Sequence, residues 1–569
     1  MEHLSLLAGG QEHSIADWER EAAAVLRKSG RITEDQPDSL IWEKLTRATL
    51  DGIAIRPLGT ADDAPEPVVR PARTGAWDIR ALVSDADAAA ANRIALDDLE
   101  GGATSVWLAG AAATGVGRAL EGVFIDLAPI VLDAPQQPLA AAQALVAEAE
   151  ARGVTLHPDT NLGADPLGHH IRRRGSSGDL GEIVDIARLA RDNGVLGVVV
   201  DATAVHDRGA TDVQELGYSI ALGTAYLRVL AEAGFEVTDA AELVEFRYAA
   251  TDEQFVTIAK LRAARRLWAS VLARSGVTGV EQRQHAVTSR PMLSRYDPDV
   301  NMLRGTVAAF AAGVGGANSV TVLPYDSANG RPEAFGRRIA RNISHLLVDE
   351  AHVAVVTDPA GGSYFVERLT ADLTDAAWAE FQRIESEGFD SLSPRVEEAA
   401  AARDALVATR KRPITGLTEF PNLDETLPQR DPDPANDGVR FYGASFEALR
   451  DDPPAEHVFL ATLGTVAEHT ARATFVSNLF AAGGIHVDSA GVTTDPESLV
   501  EAYAGQPVAC LAGTDAAYAE WGAAAARALR EAGVRHLIVA GKSTDYTDDS
   551  AALGIDALAF LNRTREQLS

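Results

Sequence analysis

The sequence predicts an α/β protein: a (β/α)8 TIM barrel followed by a flavodoxin-like, or Rossmann-like, domain. Three observations lead there. From Trp77 onward about eight short apolar segments alternate with helix-length stretches, the order that winds a parallel barrel. A proline-rich, acidic stretch at 411–455 then interrupts the alternation, as a linker between compact regions would. Residues 456–569 resume it in a shorter run that suits a doubly wound sheet.

Residues 1–75 are expected to be an N-terminal arm. One amphipathic helix near 15–26 precedes turns at Pro57 and Pro65-Glu66-Pro67, with too little apolar surface to close a core of its own. The arm is expected to pack on the main domain or on another subunit, or to be a loosely ordered leader.

The barrel is expected over 76–410. Strands are predicted at 77–83, 104–108, 123–127, 154–157, 195–201, 244–248, 285–289 and 319–323, with helices at 88–99, 140–152, 180–193 and 252–272. After the fifth strand, Val213, Leu216, Ile220, Leu227 and Leu230 fall close to one helix face. From Arg337 to Glu350, Ile339, Ile343, Leu346 and Leu347 recur at helical spacing. The valine-rich 353–356 is predicted as a strand. Asp358-Pro359 then breaks regular structure, and Gly361-Gly362 permits backbone angles closed to other residues.

In the C-terminal region strands are predicted at 457–462, 485–487, 507–511 and 536–540, with helices at 470–482 and 516–532. Ligands of such a sheet bind beyond the carboxyl ends of its strands, so function is sought in the loops after Thr462, Leu511 and Ala540.

Composition narrows the classes. At 569 residues the chain exceeds one ordinary core. With 46% hydrophobic and 23% charged residues it is an ordinary soluble composition. A formal charge of -31 repels phosphate backbones and anionic membranes, so neither nucleic acid nor membrane is expected as a partner. Arg172-Arg173-Arg174 is a local basic cluster, expected to be a solvated face. The single cysteine, Cys510, excludes an internal disulfide and a cysteine-rich metal cage, and fits a reducing, cytoplasmic setting. Glu2, Glu12, Asp17, Glu19 and Glu21 do not read as a secretion signal.

Two strings carry a resemblance. Ile339-Ala340-Arg341-Asn342 on a helix, followed by Asp358-Pro359-Ala360-Gly361-Gly362-Ser363-Tyr364, is similar to the end of the barrel in methylmalonyl-CoA mutases. These are cobalamin-dependent isomerases that interconvert methylmalonyl-CoA and succinyl-CoA. Pro413-Ile414-Thr415-Gly416 and Glu419-Phe420-Pro421-Asn422 resemble that family's exit from the barrel.

The family's C-terminal domain holds cobalamin through Asp-x-His-x-x-Gly, then Ser-x-Leu, then Gly-Gly. The histidine enters the cobalt's lower position, the aspartate orients it, and the glycines admit the nucleotide tail. Matched on Gly464, this chain has Val466 at the aspartate, Glu468 at the histidine and Ala471 at the glycine. Ala509-Cys510-Leu511 stands at Ser-x-Leu, and Gly541 alone remains of the glycine pair. A one-residue insertion would bring His469 onto the ligand position, with Ala467 and Arg472 at the aspartate and glycine; His469 is expected instead to face solvent at a helix start. His486 is expected within a strand.

In the barrel, His206 resembles the strand-end histidine that active mutases place near the substrate carbonyl, with a shorter spacing to Gly209. It is the one candidate catalytic residue, able in principle to donate to a thioester; retention for packing is the competing reading. Active large subunits carry a run like Thr-Ile-Arg-Gln-Tyr-Ala-Gly-Phe. Here Ile79 and Arg80 match, and Leu82 falls at the tyrosine. Gly313-Val314-Gly315-Gly316 and Gly541-Lys542-Ser543 lack the settings of phosphate loops, and no metal spacing is present.

The resemblance as a whole points to the family's small (beta) subunit type, with both ligand regions stripped of reactive residues. It implies a heterodimer with a homologous large (alpha) subunit, adenosylcobalamin at the level of the complex, and no cofactor on this chain. The alternatives are an active acyl-CoA mutase subunit that borrows a cobalamin domain from another chain, or an assembly scaffold.

Overall fold

The computed structural model describes residues 13–62, 65, 73–85, 87–173 and 180–569. The turn expected at Pro65-Glu66-Pro67 therefore lies largely outside the described residues, as do Glu2, Glu12 and Arg174.

The arm begins with helix α1 (Ile15–Lys28), where Ser14 and Asp17 form a reciprocal capping box. Contrary to expectation the arm closes a small core of its own. Ala23, Leu26, Ile32 and Ile41 are buried together under Trp18 and Trp42, whose rings lie 4.8 Å apart. The indole of Trp42 donates to Glu19 at 2.7 Å, so two tryptophans supply area that an aliphatic count misses. The arm then reaches the barrel, where Asp51 accepts from the Val213 amide at 3.5 Å.

Eight parallel strands close the barrel: β1 (Asp78–Val83), β2 (Ser105–Ala109), β3 (Ile130–Asp133), β4 (Asn161–Ala164), β5 (Leu196–Asp201), β6 (Val244–Ala250), β7 (Arg283–Thr288) and β8 (Ser319–Thr321). The ring shuts where Ser319 pairs with Asp78 and Val320 with Ile79. The helices that matter below are α2 (Pro166–Arg173), α3 (Asp212–Glu232), α4 (Gln254–Arg274), α5 (Ala334–His345) and α6 (Tyr364–Glu387), the last packing outside α3 and α4.

Two predicted strands are corrected. Residues 123–127 form turns with Phe124 and Leu127 exposed, and the third strand follows at Ile130–Asp133. Residues 154–157 are irregular, and the fourth strand is Asn161–Ala164. That strand has poor β-formers and survives through side chains. Asn161 accepts from the Gly163 amide at 3.0 Å and donates to the Val198 carbonyl at 3.2 Å. Gly163 is at φ +80, and a Cβ there would sit 1.9 Å from the Leu132 oxygen, so only glycine fits this bulge.

The stretch 353–356 is not a strand. Ala354 tucks into the core while Val355 and Val356 stay exposed in a run of turns. The helix from Arg337 does continue to Glu350, as α5 and then a π-helical turn at Leu346–Glu350. The following loop is clamped by Arg262 of α4, which pairs with Asp358 and with Glu367 at 2.6 Å. Glu367 also accepts from the Gly362 amide at 3.0 Å. Asp358 itself sits at φ +49, a conformation this clamp sustains.

Within 411–455, Leu417 and Phe446 are fully buried in one cluster with Val458 and Val508. The C-terminal sheet has five parallel strands: β9 (Val458–Thr462), β10 (Val487–Ser489), β11 (Val508–Ala512), β12 (His536–Ala540) and β13 (Asp549–Ala551). Their order is β10-β9-β11-β12-β13, with α7 (Val466–Ala482) following β9. The edge strand β13 was not foreseen in the sequence. His486 precedes β10 and stacks on His457 at 5.1 Å, so it is not within a strand.

Candidate functional site

The first candidate site is the carboxyl-terminal mouth of the barrel. Alternate residues of each strand face the axis, which puts Asp78, Arg80 and Leu82 of β1 on one inner line. Arg80 is buried and donates to both Glu245 oxygens, at 3.0 and 2.9 Å, with Asp78 at 3.0 Å. One layer higher, Arg247 reaches Asp201 at 3.1 Å and Asp133 at 3.4 Å. Its Nε donates to His285 Nδ1 at 3.3 Å, and His285 Nε2 meets Thr321 Oγ1 at 2.8 Å. Burial, then the charges of Arg80 and Arg247, push the His285 pKa well below the usual histidine range, so that ring is neutral.

Helix α2 lies over this mouth. His169 contacts Asp133 at 3.1 Å, and Arg172 donates to Asp201 and Thr203 at 2.8 Å and to Asp207 at 3.0 Å. The expectation of a solvated basic face is thus overturned for Arg172, which turns inward because three acceptors at the end of β5 converge on it. Asp165, at the end of β4, accepts from the Tyr226 hydroxyl at 2.6 Å and the Gly168 amide at 3.1 Å. Burial raises its pKa to about 6. Leu82 lies beyond Arg80 on the same inner line, half-buried beside this ionic layer and opposite Trp107 in register.

His206 lies in the short helical turn after β5 and is only 3% exposed. Its Nε2 meets the Ser289 hydroxyl at 2.8 Å and its Nδ1 lies 3.5 Å from Glu215. Glu215 accepts from the Ala249 amide and from Lys260, each at 2.7 Å, and Lys260 also binds Asp212 at 2.8 Å. The order serine, histidine, glutamate is that of a nucleophilic triad. With Ser289 at 1% exposure and Glu215 already paired to a lysine, it acts as a buried strut between β7, α3 and α4. Ser289 lies 83 positions from His206, so no local motif marks the set.

The second candidate site is the crevice at the carboxyl edge of the C-terminal sheet, where strand order reverses between β9 and β11. Val466 opens α7 at 61% exposure. Glu468 is consumed by a capping box, accepting from the Thr465 amide at 2.7 Å and hydroxyl at 2.8 Å, which lower its pKa. His469 does not face solvent: it is 7% exposed, with Nδ1 3.3 Å from the Gly464 carbonyl. Cys510 is fully buried, and burial pushes its thiol far up.

Gly541 stands at φ +137 beside the guanidinium of Arg472. Arg472 reaches across to the Gly513 carbonyl at 2.7 Å and Asp515 at 2.5 Å. The Tyr518 hydroxyl accepts from the Gly513 amide at 3.0 Å and lies 3.0 and 2.9 Å from the Leu511 and Ala540 carbonyls. The imidazole of His469 thus turns to a backbone carbonyl, and Arg472 and Tyr518 bridge the crevice between the loops that follow β9 and β11. Among the described residues no cluster of three or more His, Cys, Asp or Glu could hold a metal ion, and no helix is long and apolar enough to cross a membrane.

Residues 116–482 match the family model described as methylmalonyl-CoA mutase. The chain is 44% identical to a methylmalonyl-CoA mutase small subunit of Streptomyces virginiae, over 99% of this chain and 98% of that one. It is 41% identical to a probable small subunit of Mycobacterium tuberculosis, over 92% of each. It is 37% identical to the small subunit of Propionibacterium freudenreichii subsp. shermanii, over 99% and 96%.

Proposed function

Because this chain belongs to the methylmalonyl-CoA mutase family, we propose that it is the non-catalytic partner in a heterodimer with a homologous large subunit. On this reading the large subunit binds adenosylcobalamin and isomerises methylmalonyl-CoA and succinyl-CoA, and this chain supports it. The observation that carries the reading is the barrel mouth. Arg247 and Arg172 are spent on Asp133, Asp201 and Asp207, where an active barrel needs free groups to meet an acyl-CoA.

The second support is the C-terminal sheet. Its strand order is that of a flavodoxin-like fold, with Val466, Glu468 and Gly541 at positions that no longer serve a corrinoid. We take 1–75, 76–410, 411–455 and 456–569 as arm, barrel, linker and degenerate cobalamin-type domain. The name small subunit on relatives that span the chain supports a larger partner, and a lone buried cysteine supports a cytoplasmic setting.

The test is direct. The isolated chain is expected to be inactive on methylmalonyl-CoA and colourless after incubation with hydroxocobalamin and desalting, and to co-purify with the large subunit as an active complex. Turnover by the isolated chain would sink the reading, as would failure to associate.

A further inference from the structure

Two side chains, Tyr518 and Arg472, do at the sheet edge what a ligand does in related architectures. Ligands of a doubly wound sheet sit where the strand order reverses, against backbone groups at the carboxyl ends of the strands. Here those groups already have a partner. The single hydroxyl of Tyr518 touches the Gly513 amide, the Leu511 carbonyl at the end of β11 and the Ala540 carbonyl at the end of β12. Burial raises that phenol to a pKa of about 12, so it stays protonated and able to donate.

The local chain is shaped to deliver this ring. Tyr518 opens a π-helical turn, Tyr518–Gly522, in which one extra residue is accommodated per turn. Gly522 ends the turn where a Cβ would lie 2.7 Å from the Tyr546 hydroxyl, so glycine lets a second tyrosine close against this turn. From the other side Arg472 of α7 crosses the crevice, its guanidinium 4.9 Å from the centre of the Tyr518 ring and bonded to the Gly513 carbonyl. The ring is therefore held at its hydroxyl, at its face and at its backbone.

We propose that Tyr518 is an internal occupant of the crevice: a phenol supplied by the chain itself that holds the ends of β11 and β12 together where a bound ligand would. This rests on the reading of the C-terminal sheet as a ligand-type domain without its ligand, and it adds what took the ligand's place. The domain is thereby stable without any cofactor, so the subunit can assemble independently of cofactor supply. A corollary makes the proposal testable. Deleting the ring leaves a phenol-shaped cavity with hydrogen-bonding groups at its base, and such a cavity accepts a matching small molecule.

The experiment uses the full chain with 4-methylphenol as probe, read by hydrogen–deuterium exchange of peptides covering 508–513 and 536–541 and by titration calorimetry. Tyr518→Ala is expected to exchange about tenfold faster in both peptides, and saturating 4-methylphenol to restore most of that protection. Toluene, which lacks the hydroxyl, restores less. The wild-type chain binds neither. Tyr518→Phe, which keeps the ring, is expected to exchange faster in the same peptides and to bind no probe. A folded Tyr518→Ala chain with wild-type exchange, or one that ignores 4-methylphenol, overturns the proposal. If Tyr518→Ala does not fold, Tyr518→Phe decides, and wild-type exchange in that variant overturns it. Turnover by the isolated chain would sink the functional reading above and leave these outcomes unaffected.

Discussion

The guanidinium of Arg247 lies 3.9 Å over the ring of Trp107, on the axis of the barrel. An arginine there has three roles at once: it stacks on the indole, neutralises Asp201 and Asp133, and adds its charge to the burial and the Arg80 charge that keep His285 neutral. The stacking and the simultaneous reach to two carboxylates depend on the planar fork, which a lysine does not reproduce.

Replacing Arg247 with methionine takes one cation from two carboxylates, leaving Asp201 to Arg172 and Asp133 to His169. The expected cost is about 2–4 kcal/mol of chain stability, below that of a fully unpaired buried charge, measured by urea unfolding. Arg247→Lys keeps the charge and loses the stacked, forked geometry, for an expected cost of about 1–2 kcal/mol. Equal stability of the methionine variant and the wild type would show that the ionic layer does not hold the mouth shut.

His169 makes the mouth pH-sensitive. Burial alone would lower its pKa; the hydrogen bond and charge of Asp133 outweigh burial and raise it above the ordinary value. A cationic group with a raised folded pKa contributes stability that is complete below its unfolded value, about 6.5, and is lost as pH rises through the folded value. Asp133 is lowered, so its share is present above the ordinary carboxylate range and is lost only in acid. The stability difference between wild type and His169→Gln is therefore expected to shrink as pH rises from 6 to 9. A difference that stays constant over that range would contradict the assignment.

Arg262 should control the exposed loop between Ala351 and Ser363. Arg262→Met leaves Asp358 and Glu367 without their cation, and is expected to cost about 2–4 kcal/mol and to speed exchange of the 351–363 amides ahead of the barrel strands. Exchange rising uniformly over the whole chain would instead mean that Arg262 supports the barrel and not the loop.

His206 separates structural from catalytic roles. If this chain is a supporting subunit, His206→Asn in the purified heterodimer leaves kcat and KM for methylmalonyl-CoA within about twofold of wild type, while losing about 1–2 kcal/mol of stability from the Ser289 and Glu215 contacts. A large fall in kcat with unchanged stability would place this histidine in the chemistry.

Much of the architecture was legible because the barrel obeys local rules. Val198, Val200 and Leu216 are apolar where a buried strand and the inner face of its helix need them, and all three are fully buried. The failures are local as well. Asn161-Leu162-Gly163-Ala164 carries no strand signal, since its pairing depends on an asparagine side chain and a bulge glycine that only the neighbouring Leu132 explains. Residues 353–356 carry a strong strand signal and form none: the Val353 amide is taken by the Leu347 carbonyl and the Val355 amide by the His352 carbonyl, which curl the chain into turns. The candidate sites divide the same way. Val466, Glu468 and Leu82 could be questioned from the sequence by what is missing there. The groups that occupy the space instead, Arg172, Arg247, Tyr518 and Arg472, were not found as such, because their partners lie 29 to 114 positions away at the barrel mouth and up to 43 away at the sheet edge.

The seam between the first and eighth barrel strands has a consequence for synthesis. Thr321 donates to the Arg80 carbonyl across 241 positions. On the ribosome, β1 must wait roughly 10–50 s, at about 5–20 residues per second, before its last neighbour has even been polymerised. Throughout that interval the nascent chain presents an open, apolar sheet edge, a template for wrong pairing. Vectorial folding of the barrel therefore ends with a ring closure that must wait until more than half of the 569-residue chain is made, and the half-made barrel is the species a chaperone must guard.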